Sequence, residues 1–121
     1  MMSPQLVIKL PLSDTTGLLD RIDWQQHATQ GRSGALIHEI YRTGRPARRL
    51  ALVRFTPGSS APAHRHLGHE TIHVLGGGFD DDFGSHKSGD LVVYPPDSVH
   101  AWSSPRGALL LVLWDGPTQL L

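Results

Sequence analysis

No cysteine occurs in the 121-residue chain, which removes disulfides, thiolate metal sites and cysteine nucleophiles and leaves imidazole and carboxylate as metal donors. Charge of one sign is not in excess either. The 11 Lys and Arg equal the 11 Asp and Glu, and without accumulated positive charge a general nucleic-acid binder is not expected. Long hydrophobic runs are missing. The apolar stretch Ala108 to Trp114 is far too short to cross a bilayer, and no apolar run preceded by positive charge opens the chain, so a cytoplasmic protein without membrane contact is expected. Neither a Gly-x-Ser-x-Gly elbow nor a phosphate-binding glycine loop is present.

What the chain does have is glycine and proline, 13 and 9 residues, punctuating short apolar segments with almost no helical periodicity. The length fits one domain. Gln5 to Leu10, between Pro4 and Pro11, reads as an edge strand or an arm pairing with a second subunit. Ser13 to Gly17 reads as a turn, Leu18 to Trp24 as a helical turn or two, and Gln25 to Gly34 as loop. Strands are then expected at Ala35 to Arg42, Arg49 to Thr56, from Glu70 onward, Asp90 to Tyr94, Val99 to Ser103 and Ala108 to Trp114, with a hairpin over Phe79 to Lys87. This is an all-β domain, an antiparallel sandwich or barrel. The last strand is apolar on both faces and needs cover on both, from a loop, the N-terminal arm or a second copy; a homodimer is the favoured reading.

The stretch Gly58 to Gly77 carries the chemistry. In an extended strand His64 and His66 share a face and Arg65 takes the other. A turn at Leu67-Gly68 would return the chain, so that Glu70 opens the next strand on the same inner face, with Ile72 and Val74 beside it and Thr71 and His73 outside. Three potential metal ligands then come from two strands.

The same stretch, G-x5-H-x-H-x3-E-x6-G, resembles the first signature of the cupin family at every marked position. Gly89 to Ser104 resembles the second: Gly89, Pro95 and His100 match, whereas Asp97 stands in place of a Gly and Ser104 in place of an Asn. Asp97 tolerates the left-handed backbone that a turn Gly would supply. The resemblance covers roughly residues 34 to 115, with residues 1 to 33 as an N-terminal arm. It points to small single-domain cupins similar to ChrR-type anti-sigma C-terminal domains and to acetylacetone-cleaving dioxygenases. It implies an antiparallel jelly-roll β-barrel and a divalent metal held by His64, His66, Glu70 and His100.

Imidazole suits zinc, iron, copper and nickel, and one carboxylate keeps manganese open. Iron(II) with four protein ligands would leave two positions for substrate and dioxygen, which fits a dioxygenase acting on a small β-dicarbonyl-like compound. In that reading Phe55, Tyr94 and Trp102 line the substrate cavity. Zinc closed by all four side chains would fit a ligand-binding or sensor domain without catalysis, or a structural site. The helical partner domain of ChrR-type proteins is not expected, since the residues ahead of Gly58 read partly as strands.

Other charged groups receive plainer readings. Arg42, Arg45, Arg48, Arg49 and Arg54 are taken as solvated faces and turns rather than an anionic-ligand patch, although Arg54 is placed to point into the cavity. Asp80, Asp81 and Asp82 are read as a solvated acidic turn, because they lack calcium-loop spacing. His27 and His86 are read as solvated, His69 as a rim residue, and His38 is not assigned a direction.

Overall fold

The computed structural model describes residues 5–121. Among them are one α-helix, α1 (Thr15–Arg21), a single 3-10 turn (Thr29–Gly31) and nine strands: β1 (Gln25–Gln26), β2 (Ser33–Thr43), β3 (Arg48–His66), β4 (Glu70–Asp81), β5 (Gly84–Lys87), β6 (Leu91–Tyr94), β7 (Val99–Ser104), β8 (Ala108–Trp114) and β9 (Thr118–Leu120). All pairings are antiparallel. They run β1-β2-β3-β7-β4-β5, with β6 on β4, β9 on β3, and β8 bridging β3 and β4. That bridge closes the sheet into a barrel. No helix among the described residues is long and apolar enough to cross a membrane.

The barrel is filled from inside by Val53, Phe55, Ile72, Val74, Phe79, Trp102, Leu110, Val112 and Trp114, all buried. Each comes from the inward parity of its strand. A second cluster lies outside the barrel wall, where Leu52 and Leu109 are covered by Leu18 and flanked by Leu10, Leu12, Leu19, Ile22 and Trp24. The chain's own N-terminal segment therefore covers the outer face of β8 at Leu109, as the arm alternative expected, while Leu111 and Leu113 further along that face stay partly exposed. The segment does so without strand pairing: residues 5–10 belong to no strand, contrary to the edge strand expected there, and Leu6 and Val7 remain 88% and 87% exposed. Pro4 lies outside the described residues.

Three local readings change. The helix begins inside the expected turn because the Asp14 carboxylate accepts from Gly17 N at 3.0 Å and caps it. The strand expected to stop at Thr56 continues to His66 as one 19-residue element. Pro57 and Gly58 (φ +84°) mark a change of partner rather than an end, since residues 49–55 pair with β8 and residues from Ser59 pair with β7. After Gly116-Pro117, β9 returns to pair Thr118 with His66 and Leu120 with His64, a strand too short to have been foreseen.

Arg54 does not face the cavity. Val53 and Phe55 point inward, so Arg54 points toward the helix and donates to Leu19 O at 3.5 Å. The covering helix is expected to carry real stability. Leu18→Ala should cost about 2–5 kcal/mol in chemical denaturation, whereas Leu6→Ala should stay within about 0.5 kcal/mol; equal losses would show that α1 does not seal β8.

Candidate metal centre

Strand register assembles the site. His64 on β3 sits directly opposite His100 on β7, and Glu70 at the start of β4 is opposite Trp114 on β8. The return between His66 and Glu70 is held by Leu67 N donating to Pro117 O at 3.0 Å and Asp115 N to His69 O at 2.9 Å; Asp97 N donates to His66 O at 2.7 Å, and Asp97 adopts φ +71°, as expected of a residue replacing glycine. His64, His66, His100 and Glu70 are all buried. One ring nitrogen from each histidine lies within 4.8 Å of the other two.

The proton on each ring can be placed from its outer partner. His64 Nδ1 is 3.2 Å from Pro62 O, which can only accept. His100 Nδ1 is 2.9 Å from the Asp81 carboxylate, which again accepts. His66 Nδ1 is 3.0 Å from Ser98 Oγ, whose own hydrogen goes to Pro95 O at 2.6 Å, so the hydroxyl accepts here too. Every Nδ1 therefore carries the proton, and every Nε2 presents a lone pair inward.

Those lone pairs face other lone pairs. His64 Nε2 and His100 Nε2 stand 3.1 Å apart, and Glu70 Oε1 lies 3.2 Å from His66 Nε2 and 3.9 Å from His100 Nε2. His66 Nε2 is buried with no hydrogen-bond partner. Protonation is a poor remedy: burial takes His64 down to about 4, against the Pro62 carbonyl, and burial also lowers His100 despite Asp81. Glu70 stays ionised. The Trp114 Nε1–H donates to its Oε2, a bond that favours the charged form. Four acceptors converging in a buried cavity fit a divalent cation.

An outer layer fixes these donors. Trp114 Nε1 donates to Glu70 Oε2, turning Oε1 toward the histidines. Asp81 is no solvated turn residue: its side chain is fully buried and accepts from Tyr94 OH (2.5 Å), His100 Nδ1 and Phe83 N (2.8 Å), with His86 Nε2 at 2.8 Å. Burial alone would raise the Asp81 pKa, yet these bonds bring it down to about 2. His86 is correspondingly held at Asp81 rather than solvated. His69 is exposed, as a rim residue should be, and His73 alternates away from the buried face of β4.

Phe55 and Trp102 stack at 3.8 Å and line an inner cavity of about 20 Å³ with His64, Glu70 and His100. Tyr94 is not in that lining; its ring packs 4.4 Å from His100 and its hydroxyl serves Asp81. His27 is not solvated but buried, 6.0 Å from the Trp114 ring, because its backbone N–H is drawn to Ala35 O and the loop folds into the barrel mouth. Burial, with Arg32 and Arg49 adding, lowers it to about 4.

A jelly-roll barrel with imidazoles converging on its inner face defines a cupin. The chain belongs to the ChrR cupin-like domain family, which it matches over residues 13–119. No curated protein matches the sequence. Among solved structures, it is similar to the anti-sigma factor ChrR of Rhodobacter sphaeroides in complex with SigE, with 22% identity, a TM-score of 0.67 and 80% of this chain covered. It spans half the length of that ChrR chain. It is also similar to an acetylacetone dioxygenase from Acinetobacter johnsonii (13% identity, TM-score 0.77, covering 100% of this chain and 80% of that one). The polyketide cyclase RemF from Streptomyces resistomycificus gives 15% identity and a TM-score of 0.71, covering 96% of this chain and 86% of that one. Identities this low establish the shared fold alone.

Two outcomes are expected. Asp81→Asn should weaken metal binding about 10–100-fold by releasing His100, and His66→Ala should lose the metal, while His73→Ala keeps it; metal content after dialysis checks all three. His27 sits near 4 when folded against 6.5 unfolded. The unfolded chain therefore takes up the proton first, and stability falls by about 3 kcal/mol as pH drops from 6.5 to 4. His27→Gln should flatten that part of the denaturation-midpoint profile; an unchanged slope would contradict the assignment.

Proposed function

We propose that this cupin is a non-haem iron dioxygenase acting on a small oxygenated, β-dicarbonyl-like compound, with the metal held by His64, His66, His100 and Glu70. The observation that carries the reading is the donor set itself. Three histidine nitrogens cluster closely, Glu70 Oε1 lies 3.2 Å from His66 Nε2 and 3.9 Å from His100 Nε2, and with no thiolate in the chain such donors suit iron(II), which would keep coordination positions for other ligands. Bound there, iron(II) would supply Lewis acidity to a chelating substrate and electrons for dioxygen.

The residues supply everything else. Phe55 and Trp102 keep the inner space apolar and narrow, so that only a group about the size of a water molecule fits beside the ligands from that side. The bulk of a substrate would approach through the wider mouth bounded by His27, Arg32 and Trp114. Trp114 holds Glu70 ionised and oriented, and Asp81, supported by Tyr94, holds the His100 proton on Nδ1. The acetylacetone dioxygenase likeness supports this reading at the level of scaffold.

A second reading is favoured by a different observation, the smallness of the inner cavity together with membership of the ChrR-like family. It makes the domain a zinc-holding ligand-binding or sensor module without turnover. Oxygen consumption with acetylacetone after loading with iron(II) or zinc separates the two. Turnover with iron and none with zinc is expected; tight zinc retention with no oxygen uptake under either metal would replace the dioxygenase by the sensor.

A further inference from the structure

The mouth of the barrel is lined by Arg32, Arg42 and Arg49 and contains no carboxylate among its lining residues; the cleft measures about 340 Å³. That volume suits a small-molecule ligand. Three of its lining residues, His27, Arg32 and Trp114, also line the inner cavity that holds His64, Glu70 and His100. A molecule resting in the cleft is thus separated from the metal donors by shared walls only.

The arginines are differently engaged. Arg42 and Arg49 share one carboxylate oxygen, Glu39 Oε1, at 3.0 and 2.8 Å. Arg49 is further fixed over the Trp114 ring, 5.1 Å from its centroid. Arg32 forms no ion pair among the described residues. Its guanidinium is held by neutral acceptors, with Nη1 at Thr29 O (2.8 Å) and Thr29 Oγ1 (3.3 Å) and Nη2 at Thr118 Oγ1 (3.5 Å). Its Nε–H and one Nη2–H are left over. Three guanidiniums against one carboxylate leave the cleft positive. Beside them His27 is 8% exposed, and its Nε2 has no partner. Oriented but unpaired donors of this kind are what a carboxylate-binding fork requires.

We propose that Arg32, supported by Arg42 and Arg49, forms an anion subsite that takes the carboxylate of a small oxo acid whose carbonyl end reaches the metal centre. This deepens the functional reading above and rests on it for the carbonyl end only. Within the β-dicarbonyl-like class, anionic members are thereby the favoured ones. Arg32 is a binding residue here.

The test is calorimetric titration of the full-length, metal-loaded protein with acetoacetate and with its neutral methyl ester. The anion should bind about tenfold more tightly at low ionic strength, and added salt should shrink the difference. Arg32→Gln should erase that preference while leaving the ester's affinity unchanged, and Arg32→Lys should restore part of it. Arg42→Gln, at an exposed side chain, should lower the preference about two- to threefold, and it decides the matter if melting curves show Arg32→Gln unfolded. Equal affinities in the wild type, no binding of either probe, or an undiminished preference in the folded arginine variants would overturn the subsite. The metal reading is judged separately with His66→Ala. Loss of affinity for both probes supports it. Unchanged affinities, with the preference still removed by Arg32→Gln, would sink the metal reading and leave the anion subsite standing.

Discussion

The structure depends on an electrostatic conflict: three imidazole lone pairs and one carboxylate are pressed together in the buried interior of the barrel. Each outer partner sharpens the conflict by holding a proton on the far nitrogen. Pro62 O, Ser98 Oγ and Asp81 all accept from Nδ1, and none leaves a ring free to turn its proton inward. Unpaired acceptors in a low-dielectric interior cost several kcal/mol unless something positive sits among them. A divalent cation bound there would relieve the conflict, and its binding would then be coupled to the stability of the barrel.

The wall of the barrel is arranged to hold that geometry. His64 and His100 are cross-strand neighbours, so their distance is set by the β3–β7 ladder rather than by flexible loops. Gly77, at φ +65°, lets β4 pass the Gly107-Ala108 backbone, where a Cβ would lie 2.9 Å from Ala108 Cα. Ser104, standing where the family signature has Asn, is fully buried and donates to Gly78 O at 2.7 Å, tying β7 to that same crossing. These residues touch no ligand atom. They fix the strands on which the ligands ride.

The inner faces were legible where strand parity runs unbroken, and opaque where it does not. His64 and His66 point inward and Arg65 outward, as a two-residue period demands, and Glu70, Ile72 and Val74 continue inward. Between Val74 and Gly76 the β4–β8 register shifts. A one-residue irregularity flips every later side chain, so Phe79 and Asp81 turn in while Asp80 is exposed. That is why three consecutive aspartates read as a solvated turn, although the middle one supports His100. His27 and Arg32 were missed for another reason. Their loop has no period at all, and only the tertiary fold reveals that it caps the barrel mouth. The apolarity of β8 was read correctly, and part of its cover comes from the N-terminal arm, through a helix whose start depends on one capping carboxylate, Asp14.

Charge balance links the two ends of the cavity. On the proposed reading, a divalent ion is matched by the two buried carboxylates, Glu70 beside it and Asp81 behind His100, so the centre closes near neutrality. Arg32 then remains as a cation in the common wall, with neither carboxylate within ion-pair distance. Burial lowers its pKa, with Arg49 adding and Glu70 opposing, yet a guanidinium remains charged at any ordinary pH. A half-buried charge without a counter-ion is costly to keep if it serves only the fold. An incoming anion removes that cost at the moment of binding. The same interaction would orient the molecule, since its charged end is drawn to the mouth and its neutral end is left facing the histidines.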